Sequence, residues 1–330
     1  MAVSAPLFVG AKAAAAASLP TVTIGYENNG ADPEMVAIAQ GFFEKYMHAH
    51  VVLRLFSSGP AALAATGSGS LQFMTGIGNP PVVSAIAQGA PLQVIWAQER
   101  YTYDEGLAVK NNSGIRSMKD LKGKTVALVL GSTSPFELQV GLKKAGVPVN
   151  SVHLLNMSPP EMRAAWINGQ IQAAYVWDPV FNSLLANHGH PLMYDQTVAQ
   201  QAPIFNLSVV NSAWAAQHKS EVVGFIRAEL AGVAFYQQHR AQALHDMAME
   251  AGISIPLAKA EMRGYQIDTA KVELGPDGLG HGKGVATSLV TKSLTSAAAY
   301  LYSSNTISNL PSHMERFVNP TYVESAVSGK

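Results

Sequence analysis

The chain contains no cysteine among its 330 residues. Thiol catalysis, disulfide bonds and thiolate metal sites are therefore excluded together. The absence does not fix the compartment, because a cysteine-free chain suits an oxidising space as well as the cytosol.

The chain also lacks net charge, since 22 Lys and Arg residues balance 22 Asp and Glu residues. A nucleic-acid-binding protein needs a basic face, so this class of function is disfavoured. If the ligand is an anion, local dipoles and hydroxyl groups must hold it rather than the field of the whole protein.

Metal, phosphate-loop and membrane-spanning patterns are missing as well. The ten histidines show no metal-ligand spacing, so we expect no metal site and no cofactor. Residues 281–284 (HGKG) are basic and glycine-rich but lack the full Gly-x4-Gly-Lys-Ser/Thr pattern. Beyond the first residues, no stretch has the length and purity of a membrane span.

The bulk composition is that of a folded protein of two domains. Hydrophobic residues make up 48% of the chain and charged residues 13%, and 330 residues exceed one simple core. Residues 1–20 (MAVSAPLFVGAKAAAAASLP) are apolar and end in small residues, although Lys12 lies inside the apolar stretch. We expect an export leader here, the alternative being a flexible leader without function.

Four short turns of small polar residues each follow a β-branched or apolar run and precede a helix-like segment. The runs are residues 21–26, 51–56, 71–75 and 125–130, and the turns read ENNG (27–30), SSGP (57–60), GIGNP (76–80) and GSTSP (131–135). At such a helix start, first-turn N–H groups and small polar side chains converge, and the helix dipole favours negative charge. The four turns therefore predict loops that converge on a small anion.

The wider pattern predicts two α/β blocks and a helical C-terminal tail. Strand and helix patterns alternate over residues 21–99 and 105–195, which favours mainly parallel sheets covered on both faces. From residue 220 the pattern is helical, at 220–239, 240–252 and 285–305, with no clear strand, and this tail is expected to pack on the first block. Residues 105–110 and 205–210 would be crossover strands that form a hinge, with the ligand in the cleft.

The predicted fold class is therefore α/β and two-lobed, with two crossover strands as the hinge. The predicted division is a leader at residues 1–20, a first lobe from 21–104 and 211–330, and a second lobe from 105–210 that includes the crossover strands. Within the first lobe, residues 32–45 (DPEMVAIAQGFFEK) have an Asp-Pro start and helical apolar spacing, which predicts a helix.

The second block carries a more specific pattern. Residues 156–179 read NMSPPEMRAAWINGQIQAAYVWDP. This segment resembles the taurine-binding and aliphatic-sulfonate-binding periplasmic components of ATP-binding-cassette importers, in the nitrate, sulfonate and taurine group. Further segments resemble the taurine branch in the same order, over about residues 21–323: Tyr26, FSSG (56–59), GIGNP (76–80), DEGL (104–107), DLKGK (120–124), STS (132–134) and EVV (221–223).

The resemblance implies a type II periplasmic binding protein that closes on its ligand and hands it to a membrane permease, without catalysis. The implied ligand is a small sulfonate such as taurine, and we expect a monomer. A sulfonate is a fixed monoanion with three acceptor oxygens, so neutral donors in a closed cleft suit it well.

One departure from this family bears on the ligand. Many taurine-binding relatives carry an acidic residue after Ala-Pro on the second crossover strand, where it meets the taurine ammonium. The corresponding residue here is Asn206, and the Trp typical two residues later is Ser208. An ammonium in a dry pocket needs an anion, which Glu27 could supply from the opposite lobe. Taurine and sulfonates without the amine are thus both left open.

The predicted ligand-binding residues come from the turns, the crossover strands and the end of the 156–179 segment: Tyr26, Glu27, Ser57, Ser58, Asn79, Glu105, Ser132, Thr133, Ser134, Trp177, Asp178 and Asn206. Each has a structural alternative. The Ser, Thr, Asn79 and Asp178 side chains could simply cap helices. The aromatic rings could belong to the core, and Glu105 could form a hinge salt bridge.

Three alternative functions remain at this stage. The ligand could be another small anion, nitrate-like or a carboxylate. The chain could be a pyrimidine-synthase-like enzyme on the same two-lobed architecture, but such enzymes need a pyridoxal-phosphate lysine and a sacrificial histidine. No Lys-x3-His pattern lies near the first helix. A binding protein linked to a chemoreceptor would have the same pocket and a different partner.

Overall fold

The computed structural model describes residues 19–101, 103–199 and 203–329. The predicted leader at residues 1–20 lies outside the described residues, except for Leu19 and Pro20. The described chain forms two α/β lobes, each built around its own sheet. The predicted α/β, two-lobed fold class is confirmed.

Strands and helices alternate along most of the described chain. The strands are β1 (Thr21–Glu27), β2 (His50–Phe56), β3 (Phe73–Ile77), β4 (Leu92–Tyr101), β5 (Glu105–Lys110), β6 (Thr125–Leu128), β7 (His153–Asn156), β8 (Ala173–Trp177), β9 (Gly189–Tyr194), β10 (Phe205–Asn211) and β11 (Tyr265–Ile267). Short 3-10 helices cover Met118–Leu121, Val149–Ser151, Gly282–Thr287 and Met314–Phe317.

The α-helices connect these strands and make up the C-terminal region. They are α1 (Pro33–Ala39), α2 (Phe42–Met47), α3 (Gly59–Gly67), α4 (Asn79–Ala87), α5 (Ser134–Lys144), α6 (Pro159–Ile167), α7 (Val180–Ala186), α8 (Gln196–Ala199), α9 (Ser212–Ala215), α10 (Lys219–Gln238), α11 (Arg240–Ala251), α12 (Ile255–Glu261), α13 (Ala270–Glu273), α14 (Leu289–Ser303) and α15 (Thr321–Ser328). Among the described residues, no helix combines the length and apolar character needed to cross a membrane.

The first lobe is built on a six-stranded sheet in the order β11-β4-β10-β3-β1-β2. Strand β1 runs parallel to β2 and β3, whereas β10 runs antiparallel to β3 and β4. Every residue of β3 and β10 is buried, because helices cover both faces of the sheet. Phe73 of β3 stacks on Phe225 of α10 with ring centroids 4.5 Å apart.

The C-terminal helices pack on the first lobe, as expected. Helix α10 contacts α1 and α2, and α14 contacts α4. Val290 and Leu294 of α14 are fully buried in the same apolar core as the strands of this lobe. Lobe 1 is thus assembled from segments at both ends of the described chain.

The second lobe is built on a five-stranded sheet in the order β7-β6-β8-β5-β9. Strand β6 runs parallel to β7 and β8, and β5 runs antiparallel to β8 and β9. The chain passes between the two sheets after β4 and again before β10. The expected second lobe of residues 105–210 included β10, but the hydrogen-bonding partners of β10 lie in the first sheet.

Three predictions about single elements were wrong. The helix predicted over residues 32–45 is two helices, α1 and α2, because Gly41 adopts φ +65° between them. A strand does follow residue 220, but β11 has only three residues. The helix predicted from residue 285 begins at Leu289, where the Ser288 side chain accepts the N–H of Thr291 and caps it.

Candidate functional site: a cleft between the lobes

A small cavity lies between the two lobes, with a volume of about 20 Å³. That volume holds about one water-sized group, so a larger ligand requires the lobes to part and then close around it. The lining residues are Glu27, Asn29, Gly59, Pro60, Gly76, Gly78, Pro81 and Asn206 from the first lobe, and Asp104, Glu105, Ser132, Thr133 and Trp177 from the second lobe and the crossing into it.

Glu27 is the last residue of β1 and lines the cavity from the first lobe. It is only 5% exposed, and no described residue donates a hydrogen bond to its carboxylate. A Cβ atom on Gly59 would lie 2.8 Å from Glu27 Oε1, so glycine lets the start of α3 approach this carboxylate. Burial and then the charge of Glu105 raise the pKa of Glu27 well above its usual range.

Glu105 is the first residue of β5 and faces the same cavity from the second lobe. The hydroxyl of Thr133 donates to Glu105 Oε2 and that of Ser134 donates to Oε1, each at 2.6 Å. Two of the hydroxyl groups predicted to hold an anion therefore hold a carboxylate instead. Their effect is to fix the position of Glu105.

Ser132 lines the cavity, but its hydroxyl is engaged within its own turn. Ser132 Oγ donates to the carbonyl of Val129 at 2.8 Å and accepts the N–H of Ser134 at 3.2 Å. This arrangement leaves first-turn N–H groups of α5, rather than hydroxyl groups, as the donors that an anion could use.

Asn206 also lines the cavity, and it is backed by an acid that sequence reasoning missed. Asn206 Nδ2 donates to Glu99 Oε1 at 2.6 Å, across the β10–β4 pairing. Glu99 is fully buried, and burial followed by the charge of Asp32 raises its pKa well above the usual range. Where many taurine-binding relatives carry an acid on the second crossover strand, this chain has the amide of Asn206. The carboxyl group of Glu99 lies directly behind that amide.

Asp104 is a further acid at the cavity, on the crossing into β5. It is 2% exposed, and its Oδ1 has no hydrogen-bond partner among the described residues. Burial and then the charge of Asp195 raise its pKa well above the usual range. Like Glu99, Asp104 was not predicted as a site residue, although the DEGL segment that contains it was noted.

Several predicted residues do not reach the cavity because they are engaged elsewhere. Asn79 Nδ2 donates to the Ser293 hydroxyl, and Asn79 Oδ1 accepts the N–H of Phe205 at 3.1 Å. Asp178 accepts hydrogen bonds from the N–H and side-chain amide of Asn182, at 2.9 and 2.7 Å. Asp178 therefore serves the start of α7, as the alternative interpretation expected. Asn79 instead joins distant parts of the chain and caps no helix.

The other predicted residues lie around the cavity without lining it. Tyr26 is half-buried and packs on an apolar cluster that includes residues of both lobes. Ser57 is exposed, and Ser58 precedes the first residue of α3 without a side-chain cap bond. Ser134 is fully buried beneath Glu105. The structure thus brings Glu27, Glu105, Ser132, Thr133, Trp177 and Asn206 together at the cavity.

Most of the missed lining residues belong to the turns that sequence analysis identified. Asn29 lies two residues after Glu27, and Gly59 and Pro60 start α3. Gly76 is the next-to-last residue of β3, and Gly78 follows that strand. Backbone-lining glycines carry no side-chain signal, so only their place in the turns could have identified them.

The ionisable side chains that line the cavity are all acids among the described residues: Glu27, Asp104 and Glu105. No lysine, arginine or histidine lines its described walls. In the described part of the chain, no group of three or more His, Cys, Asp or Glu side chains could hold a metal ion. The cleft therefore combines helix starts, which attract an anion, with carboxyl groups, which attract a cation.

Comparison with known families and sequences gives consistent matches. A family model described as "NMT1/THI5 like" matches residues 28–243. The chain is 33% identical over 210 residues to the taurine-binding periplasmic protein of Escherichia coli (strain K12), covering 63% of this chain and 64% of that protein's length. It is 27% identical over 258 residues to a putative aliphatic sulfonates-binding protein of the same organism, covering 78% and 80%.

Solved structures share the fold. The alkanesulfonate-binding protein SsuA from Xanthomonas axonopodis pv. citri, bound to MOPS, matches with a TM-score of 0.75 at 21% identity, over 92% of this chain and 99% of that one. The desulfurization enzyme DszB matches with a TM-score of 0.66 at 15% identity, over 94% and 99%. The same architecture therefore occurs in a binding protein and in an enzyme.

Proposed function

Because the chain belongs to the NMT1/THI5-like family, we propose that it is a solute-binding protein that captures a small sulfonate, taurine or a related alkanesulfonate, between its lobes. The observation that carries this proposal is a cavity walled by helix-start turns from both lobes. The sequence matches to proteins named as taurine-binding and sulfonate-binding support a sulfonate over other anions.

The proposed sulfonate site lies between the starts of α3 and α5. These helices have nine and eleven residues and belong to opposite lobes, so an anion between them interacts favourably with both helix dipoles. Trp177 offers the alkyl part of the ligand an apolar wall. A ligand that contacts both lobes stabilises the closed arrangement over the open one.

The proposed role is delivery of the captured solute to the permease of an ATP-binding-cassette importer. The taurine-binding relative named above is periplasmic in its own description, and this supports an exported, periplasmic protein. We expect the protein to act as a monomer. The hinge between the lobes would open at the permease to release the sulfonate.

Binding is favoured over catalysis, although the fold also occurs in an enzyme. The curated relatives named above are binding proteins. A pyrimidine-synthase-like reaction would need a lysine and a histidine at the site, and the described cavity walls contain neither. No arrangement at the cavity supports a second candidate function.

A thermal-shift panel tests this proposal on protein stripped of bound ligand by unfolding and refolding. The panel compares taurine and ethanesulfonate with nitrate, sulfate and acetate. We expect at least one sulfonate to raise the melting temperature, because a ligand of the folded state stabilises it by mass action. A larger shift with nitrate or acetate than with any sulfonate would contradict the proposal.

A further inference from the structure

The two lobes also meet outside the ligand cavity, at the turn between β1 and α1. Glu261 ends α12, which packs through α11 on the first lobe, and Asp178 lies between β8 and α7 of the second lobe. A Cβ atom on Gly30 would lie 2.5 Å from Glu261 Oε2 and 3.4 Å from Cβ of Asp178. Neither acid lines the cavity. Closing the lobes therefore brings these two residues, the inter-lobe acid pair, together at a place away from the ligand.

The two acids are both buried, but they are held differently. Asp178 Oδ1 accepts the N–H of Asn182, and Oδ2 accepts its side-chain amide, at 2.9 and 2.7 Å. Glu261 Oε2 accepts the N–H of Ala31 at 3.0 Å, whereas Oε1 is buried without a hydrogen-bond partner among the described residues. A charged oxygen in that position is costly. Glu261 is therefore the member of the pair that has a place for a proton.

The surroundings do not neutralise the inter-lobe acid pair. The ionisable groups that face it from neighbouring elements are acids and tyrosines: Asp32, Asp104, Tyr194, Asp195 and Tyr265. The cations on the adjoining helices and turns, Arg163, Lys259 and Arg263, are exposed. The ion pairs found in the described part of the chain involve neither acid of the pair. The repulsion between two ionised carboxylates here is thus left without a compensating charge.

The closed arrangement consequently holds a proton at this contact more tightly than an open one. Burial raises the pKa of Glu261 to about 7, against the opposing effects of the Ala31 N–H and the Asn182 amide. Burial and then the charge of Glu261 raise the pKa of Asp178 well above its usual range. When the lobes part, water reaches both carboxyl groups and their pKa values return toward the ordinary range. Closure is therefore coupled to the uptake of a proton.

We propose that Glu261 and Asp178 control closure of the lobes through the proton that they hold, and so set the affinity for the ligand without touching it. With Glu261 protonated, the two lobes meet without charge repulsion. With both acids ionised, the same contact opposes closure. The inference concerns closure and goes beyond the proposed function, because the ligand serves only as its probe.

The direction of the pH effect on affinity follows from this coupling. Below about pH 4.5 Glu261 is protonated in both arrangements, and above about pH 7 it is ionised in both. Between these limits the closed state binds the extra proton, so the affinity for a ligand that requires closure falls as pH rises. One proton changes the affinity by at most about tenfold per pH unit.

The test measures affinity on both sides of this range. Full-length protein stripped of bound ligand is titrated calorimetrically with taurine and with ethanesulfonate at pH 5 and pH 8. Ethanesulfonate has no amine, so its own charge is the same at both pH values. We expect the dissociation constant of each ligand that binds to rise by about tenfold or more from pH 5 to pH 8.

Variants separate the inter-lobe acid pair from the acids of the cavity, which remain in place. Glu261→Gln should bind as wild type does at pH 5 and about 3- to 30-fold more tightly than wild type at pH 8. A defect in packing would instead weaken binding at both pH values. Asp178→Asn removes the other charge and is expected to change affinity in the same direction, so it serves if Glu261→Gln does not fold. Glu250→Gln, at an exposed residue of α11, should keep the wild-type profile.

The outcomes distinguish this inference from the proposed function. If Glu261→Gln and Asp178→Asn show the same change in affinity between pH 5 and pH 8 as wild type, the role of the pair in closure is overturned and a sulfonate-binding protein remains. If neither sulfonate binds at either pH, the proposed function fails, and small-angle X-ray scattering of the unliganded protein decides on the pair. A smaller radius of gyration at pH 5 than at pH 8, in wild type but not in Glu261→Gln, would then support it. Equal radii at the two pH values in wild type would overturn it.

Discussion

Glu261 is a buried acid through which pH acts on the stability of this protein. It is the last residue of α12 and 4% exposed, and its Oε2 accepts the N–H of Ala31 at 3.0 Å. A Cβ on Gly30 would lie 2.5 Å from this oxygen and 3.4 Å from Cβ of Asp178, so Glu261 sits where the two lobes meet. Burial raises its pKa from 4.5 to about 7.

The direction of the pH effect follows from that pKa. The folded state holds the Glu261 proton more tightly than the unfolded state, so this residue lowers the free energy of unfolding as pH rises from about 4.5 to about 7. Glu261→Gln removes the charge and keeps an acceptor for Ala31. We expect the variant to be more stable than wild type by about 1–3 kcal/mol at pH 8, with no gain near pH 4.5.

Urea unfolding at both pH values checks this expectation, with Glu250→Gln as the exposed control. A gain of the same size at pH 4.5 and pH 8 would mean that the substitution acts through packing rather than through the charge of Glu261. The same result would exclude this carboxyl group as a source of pH sensitivity.

At the level of residues, the sequence predicted which side chains lie at the cavity better than it predicted their hydrogen-bond partners. It placed Glu27, Thr133 and Asn206 at the ligand, and all three line the cavity. It did not predict that the Thr133 hydroxyl would donate to Glu105 or that Glu99 would lie behind Asn206. These pairings join residues 28 and 107 positions apart, and a pattern read along one chain carries no information about such distances.

At the level of elements, close helix packing depends on glycine at particular positions. Gly232 of α10 lies against α1, where an added Cβ would overlap the carbonyl oxygen of Pro33. Backbone cannot yield as a flexible side chain can, so the helices would have to separate. We expect Gly232→Ala to lower the free energy of unfolding by about 1–3 kcal/mol, as overpacking does.

Gly67→Ala is the matched control for Gly232→Ala. Gly67 ends α3, and its added Cβ would meet only Cβ of Ala90, at an ordinary contact distance of 3.5 Å. Because alanine is the better helix former, this variant should be neutral or more stable by up to about 1 kcal/mol. Urea unfolding measures the free energy of unfolding of the two variants. Equal values would mean that α10 and α1 are not packed as closely as the structure has them.

An element with a strong local signal was predicted at its observed bounds. The crossover strand predicted at residues 105–110 matches β5 residue for residue, because a buried apolar run marks it. Strand β7 was missed because all four of its residues are exposed at the sheet edge. A half-exposed or short strand leaves no hydrophobic alternation to detect.

At the level of the whole molecule, the alternating pattern predicted two lobes, but not what lies between them. The lobes meet through their turns, so the cleft is lined by residues whose conformations depend on the opposite lobe. Its acidic character arises because the ends of β1 and β5 face each other. That juxtaposition is a property of the closed arrangement, and its relevance in solution can be tested directly.

A disulfide across the cleft would lock the closed arrangement. An added Cβ on Gly131, in the second lobe, would lie 3.8 Å from Cβ of Pro60, in the first, which suits a disulfide. The chain has no native cysteine to compete. We expect P60C/G131C to form an intramolecular disulfide on oxidation, despite some strain at Gly131, where φ is +85°. The oxidised protein should release taurine much more slowly than the same protein after reduction. The single variants are the controls. Failure of the double variant to cross-link, with or without taurine, would show that the lobes do not approach each other in solution as they do here.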